Sequence, residues 1–158
     1  MGKDELIVPG LRTVWINKNS GDVEANAVCL AEQVGDLDVY LAVADCEHGR
    51  VPGKAAKMDG VYYCWYGVEG KEHCTTNFWW VCATAEMELK KADDKHTPKK
   101  PLATGFMLDG TGVYFSVVAN TPYGTIPGKI SANSDKCTYP YGGEDHETDD
   151  FSYVTWDD

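Results

Sequence analysis

Two lysines close the same short phrase, Val51-Pro52-Gly53-Lys54 and Ile126-Pro127-Gly128-Lys129. Each ammonium offers three hydrogen-bond donors and no acceptor. The glycine before it admits close backbone approach, and the proline before that stiffens the chain, so each triplet reads as a rigid bend presenting a fixed cation. Gly53-Lys54 lacks the GxxxxGK[ST] frame of a phosphate-binding loop, and His48, His73, His96 and His146 fall at no metal-ligating spacing. The cysteines form no CxxC pair, and Cys74 beside His73 has no further ligand at zinc spacing and no third group to orient it as a nucleophile. No EF-hand loop is present, which predicts calcium independence. The chemistry left is non-covalent: a binding protein without catalytic residues, metal or cofactor.

What positions the two lysines is a duplication. Val39 to Lys54, VYLAVADCEHGRVPGK, faces Val113 to Lys129, VYFSVVANTPYGTIPGK. Downstream, Val61 to His73, VYYCWYGVEGKEH, faces Lys136 to His146, KCTYPYGGEDH, and an aromatic segment follows each. The segments are short, rich in Val, Tyr, Phe and Trp, and punctuated by Gly, Asn, Asp and Pro, as antiparallel strands are. Gly35-Asp36 and Leu108-Asp109-Gly110-Thr111 are hairpin-turn candidates. Ala85, Met87 and Leu89 alternate with Glu86, Glu88 and Lys90, a period of two that predicts a strand with one wet face. The charged run Lys90 to Lys100, with Pro98 and then Pro101, predicts a connector. The expectation is an all-β fold of antiparallel sheets. One domain spans 1–158, with repeats at 14–83 and 84–158 sharing a core about a pseudo-twofold axis.

The 158 residues suffice for one core, and 43% hydrophobic with 11% aromatic residues marks a folded chain. A net charge of -11 repels phosphodiester backbones and anionic membrane surfaces, which excludes nucleic acid as a partner. No apolar run is long enough to insert into a bilayer, and MGKDELIVPG has no secretory pattern. The chain therefore reads as cytoplasmic, with release on injury or a non-classical route as its ways to an external target. In a reducing compartment, Cys29, Cys46, Cys64, Cys74, Cys82 and Cys137 are expected as free thiols, buried or half-buried.

The ordered pattern of an opening Trp15, Ala27-Val28, an apolar tyrosine strand, Pro-Gly-Lys and Tyr141-Gly142-Gly143-Glu144 resembles the tandem repeats of the DM9 family. The resemblance covers nearly the whole chain from Val14 onward. It implies an all-β invertebrate lectin that binds mannose-type glycans, recognises microbes in innate immunity and forms a homodimer. It also implies that the lysines Lys54 and Lys129 touch sugar. The family's acidic sugar contact falls at Gln33 in the first copy and at Met107 in the second, and of the two sites the Lys54 site is the one expected to work. Glu69 and Glu144 are candidates for the acceptor that Gln33 supplies only without charge, and Tyr141 or Tyr66 for the apolar plate under a pyranose ring. The alternative is a non-catalytic protein-interaction module that kept the fold without sugar binding.

Overall fold

A computed structural model describes residues 4–6, 14–23, 27–29, 31–35, 37–47, 49–82, 86–91, 101–107, 112–131 and 134–157, with side chains left aside at 4–6, 14–17, 86–88, 90–91, 106–107 and 156–157. Among these residues the chain is all-β and antiparallel throughout, as its alternating Val-rich and Tyr-rich segments predict. The first half contributes β1 (Asp4–Leu6), β2 (Val14–Lys18), β3 (Ala31–Gln33), β4 (Leu37–Cys46), β5 (Gly49–Met58), β6 (Val61–Val68), β7 (Lys71–Thr75) and β8 (Phe78–Cys82). The second half contributes β9 (Glu86–Lys91), β10 (Ala103–Met107), β11 (Val113–Thr121), β12 (Gly124–Ser131), β13 (Cys137–Tyr141), β14 (Glu144–Thr148) and β15 (Phe151–Asp157). No helix among the described residues is long and apolar enough to cross a membrane.

The pairings repeat. β4–β5 and β11–β12 are the central hairpins, β6 and β7 extend the first, and β13 and β14 extend the second. β8 lies on β4 as β15 lies on β11, and β2 lies on β8 as β9 lies on β15. Each half also passes one short strand to the other: β3 joins β12 at Gln33–Gly124, and β10 joins β5 at Met107–Gly49. Gln33 and Met107 thus hold equivalent backbone positions opposite the first glycine of the partner hairpin. With β7 meeting β14 at Lys71–Glu144, the order β4-β3-β12-β13-β14-β7-β6-β5 closes on itself as an eight-stranded barrel. The remaining strands flank it.

Closure requires both halves at once. One apolar cluster draws Val39, Leu41 and Val43 from the first half and Val117, Ile126, Phe151 and Val154 from the second. A smaller one belongs to the first half, where Trp80 is fully buried and meets Tyr40, Tyr62 and Phe78 edge-on, with ring centres 5.1 to 5.5 Å apart. Such contacts stabilise by about 1 kcal/mol each beyond burial.

The Pro-Gly-Lys triplets are not bends. Both lie inside long strands, at the point where the strand changes neighbour. β5 pairs with β10 at Gly49–Arg50 and with β6 from Lys54 onward, and Pro52, which has no N–H to donate, stands between. Pro127 stands likewise between the β3 contact at Gly124 and the β13 contact at Lys129. The glycines serve close strand packing: a Cβ on Gly53 would lie 2.3 Å from the Trp65 carbonyl oxygen, and one on Gly128 would lie 2.1 Å from that of Thr138. Close approach was expected, but it is made to the neighbouring strand.

Other expectations fall unevenly. β9 falls where a strand was predicted, but Leu89, expected on its dry face, is 40% exposed. The predicted connector from Lys90 to Lys100 is corrected at its start, where Lys90 and Lys91 still pair with β15 as the end of β9; 92–100, the turn at 108–111 and Asp36 lie outside the described residues, while Gly35 has the left-handed φ of +93° that a hairpin turn asks for. All six thiols are free. Cys29 and Cys74 are exposed, which corrects the expectation of burial: Cys29 precedes β3, and Cys74 lies toward the end of β7 away from its contact with β14 at Lys71. Burial pushes the Cys64 thiol far up and the Cys137 thiol up to about 12, so neither forms a thiolate at neutral pH.

Candidate functional site

Strand alternation sends Lys54, Ala56 and Met58 of β5 to one face. Across the register, Trp65, Tyr63 and Val61 of β6 share that face. The opposite face, with Ala55 and Cys64, is sealed by the Trp80 cluster. Lys54 ends up only 4% exposed, an unusual place for an ammonium. Its Nζ donates to Gln33 Oε1 at 2.7 Å, stands 4.0 Å from Glu72 Oε2, and lies 5.2 Å from the centre of the Tyr141 ring. Four strands from both halves therefore converge on one nitrogen.

Glu72 is held in turn by the other half. The Gly143 N–H donates to Glu72 Oε1 at 3.0 Å, and the Glu72 N–H donates to the Gly143 carbonyl at 3.1 Å. These residues open onto a cavity of about 320 Å³, lined by Gln33, Lys54, Trp65, Glu72, Tyr141 and the Met58 end of β5 among others. Burial lowers the Lys54 pKa from 10.5 to about 8, and Glu72 opposes that fall only in part. The ammonium is short of partners: one short hydrogen bond and one distant carboxylate leave donor capacity facing the cavity.

The twin position is built differently. Lys129 lies opposite Thr138 as Lys54 lies opposite Trp65, and Asp145 stands where Glu72 stands, each one residue before the paired His146 and His73. Lys129 Nζ donates to the Gly67 carbonyl at 2.8 Å, to Thr138 Oγ1 at 2.9 Å and to Asp145 Oδ2 at 2.9 Å. Its three donors are saturated. The Lys129 and Asp145 side chains are 12% and 6% exposed, and a Cβ on Gly67 would overlap Asp145 Cγ at 1.9 Å. The carboxylate thus fills the space that a ligand would need.

Of the residues singled out from sequence, the structure brings Lys54, Gln33 and Tyr141 together. It does not bring the others to them. Lys129 is engaged by protein acceptors, Tyr66 stacks on His73 and packs against the Trp80 cluster, Glu69 sits exposed in the β6–β7 turn with a φ of +54°, and Glu144 is exposed at the start of β14, opposite Tyr141 and Lys71. The carboxylate beside Lys54 is Glu72 instead, because a turn residue cannot reach inward while the next inward position on β7 can. Glu72 and Trp65 went unnoticed in the sequence. The signal that could have found them is strand pairing: β6–β7 places residue 72 beside Gly67, and β5–β6 places residue 65 beside Lys54. The Met107 side chain lies outside the described residues.

The architecture is thus a duplicated antiparallel barrel with a cavity on a buried lysine. A model of the DM9 repeat matches residues 61–148, from β6 to the end of β14, which is more than half of the chain. The chain belongs to the DM9 repeat family. The matched span straddles the 83/84 boundary drawn from sequence. A crystal structure of the nematode sperm cell motility protein MFP2B is similar in fold, with a TM-score of 0.64 over 99% of this chain at 13% identity. This chain spans 45% of that protein's chain. No curated protein sequence matches it.

Proposed function

We propose that the protein is a non-catalytic lectin whose Lys54 cavity binds mannose-type glycans. The observation that carries the reading is an ammonium 4% exposed, with unspent donors, at the wall of a cavity of about 320 Å³. A buried charge is retained against its desolvation cost where it has a ligand to meet. Two neighbouring hydroxyl oxygens of a hexose would accept from Lys54, Gln33 and Glu72 would accept from those hydroxyls in return, and Tyr141 would face the ring's C–H surface. The family resemblance supplies mannose as the sugar.

Hydrolysis is disfavoured by the lining itself. Glycoside cleavage uses two facing carboxyl groups, and among the residues lining the cavity Glu72 is the one carboxylate. With Lys129 saturated, each chain offers a single site of roughly millimolar affinity, and a homodimer would supply avidity on a microbial glycan surface.

Retention on mannose-agarose at modest salt, with elution by free mannose, is the direct test, alongside Lys54→Met. Wild type is expected to be retained and the variant to flow through with an unchanged far-ultraviolet spectrum. Folded wild type passing straight through would sink the sugar reading and leave the protein-interaction module.

A further inference from the structure

The cavity does not end at Lys54. Along β5 its inward residues run Lys54, Ala56, Met58, and their exposures are 4%, 1% and 47%. Four residues of strand span about 13 Å, longer than one pyranose ring. The β6 partners on the same face, Trp65, Tyr63 and Val61, add an aromatic and apolar flank, with Tyr63 and Trp65 ring centres 5.7 Å apart. Leu37, Ala56 and Lys57 also line the cavity in that direction. All the polar side chains that contact Lys54 are at the deep end.

At the outer end Met58 and Val61 face each other across the register, 47% and 42% exposed. An apolar pair at a hairpin tip exposes surface that charged residues would serve better. The tip is also stiff: Asp59 and Gly60 carry left-handed φ values of +52° and +82°, which both central residues of a tight two-residue hairpin turn require. The pair is therefore presented at fixed distance and direction from the ammonium. Lys57 also lines the cavity, but its Nζ is turned away over the Tyr62 ring at 5.7 Å.

We infer that the cavity is built for a glycoside carrying an apolar aglycone, with the sugar hydroxyls at Lys54, Gln33 and Glu72 and the aryl or alkyl substituent lying along Trp65 and Met58 toward Val61. This rests on the sugar-binding reading and extends it from a monosaccharide to a class of conjugates. A thioether beside an aromatic ring suits such an occupant, because methionine adapts its shape and its sulfur contacts ring edges favourably.

Calorimetric titration of the full chain with methyl mannoside, phenyl mannoside and phenol tests it. Phenyl mannoside is expected to bind about tenfold more tightly than methyl mannoside, with phenol alone unbound, since burying part of one ring against apolar side chains yields a gain of that order. The pair Met58→Ser with Val61→Ser, both exposed and so compatible with folding, is expected to collapse that ratio to about twofold or less. Equal affinity for the two mannosides overturns the inference while leaving the sugar reading intact. A tenfold ratio that survives the double substitution, or phenol binding as tightly as its mannoside, overturns the inference as well. Wild type that binds neither mannoside overturns the sugar reading and this extension together.

Discussion

Lys54 and Lys129 close identical triplets, occupy equivalent strand positions and face equivalent acidic residues, yet one is short of partners and the other is fully engaged. The difference lies in what surrounds them. At Lys129 the cross-strand neighbour is Thr138, whose hydroxyl accepts, and Gly67 leaves room for Asp145 to lie against the ammonium at 2.9 Å. At Lys54 the neighbour is Trp65, which accepts nothing through its side chain and walls a cavity, while Glu72 stays at 4.0 Å, tied to the Gly143 N–H. One duplication has thus yielded an internal clamp and an open site, and the ammonium's own motif distinguishes neither.

The comparison breaks first under removal of each charge. Lys129→Met strands Asp145, whose Oδ1 is already buried without a partner among the described residues, and is expected to cost about 3 to 5 kcal/mol. For a chain of this size that lowers Tm by roughly 10 °C. Lys54→Met removes a desolvated charge and leaves Glu72 anchored elsewhere, so its Tm at pH 7 is expected to equal or exceed that of wild type. Urea denaturation of the two variants side by side decides; equal losses would mean that both lysines are structural.

The next effect separates the two sites by pH. Lys54 is lowered from 10.5 in the unfolded chain to about 8 in the folded protein, so between those values the unfolded state holds the extra proton. Stability therefore rises with pH through this window, by roughly 3 kcal/mol in all, and the full penalty of the buried charge is present below pH 8. The difference between wild type and Lys54→Met, followed by urea midpoints from pH 7 to 10.5, is expected to close accordingly. On the proposed reading, mannose binding is expected to run the opposite way, weakening as the ammonium deprotonates above pH 8. A flat difference would show that Lys54 is not desolvated as the cavity requires.

Strands, duplication and the Pro-Gly-Lys correspondence were legible because they are local: a period of two, glycine and proline punctuation, and recurring order. Counting back from the tyrosine strand even placed Gln33 and Met107 at equivalent positions, which the β3–β12 and β10–β5 pairings share. The acceptor was not legible. Glu69 and Glu144 lie near glycine turns, where spacing suggested them, but the residue that meets Lys54 is chosen by which β7 position points inward once β7 has met β14. That depends on the two halves closing into one barrel. The saturation of Lys129 was hidden for the same reason, since Gly67 comes from the other repeat, 62 residues away in sequence.

That cross-repeat contact can be stressed on its own. Gly67→Ala places a methyl where the Asp145 carboxyl carbon lies and is expected to cost about 1 to 3 kcal/mol while leaving the Lys54 cavity open. Thermal denaturation reads the loss, and mannoside titration reads whether the first site is spared. A loss confined to sugar binding would place the functional lysine in the second repeat.

The mildest change sharpens the comparison from the other side. Gln33 gives Lys54 its shortest hydrogen bond, from a neutral amide, at the position where the family resemblance expects a carboxylate. Gln33→Glu makes that bond charge-assisted and gives the cavity a second anionic acceptor for sugar hydroxyls, a gain of about 1 kcal/mol, or roughly fivefold in mannoside affinity. The same carboxylate favours the protonated lysine, so the folded pKa must climb back toward 10.5 and the stability gained between pH 8 and 10.5 must shrink. The two readouts are coupled through one ammonium: tighter binding with an unchanged pH profile would mean that residue 33 touches the sugar without Lys54. A flattened profile with unchanged affinity would make the Lys54 cavity, like its twin, a matter of structure alone.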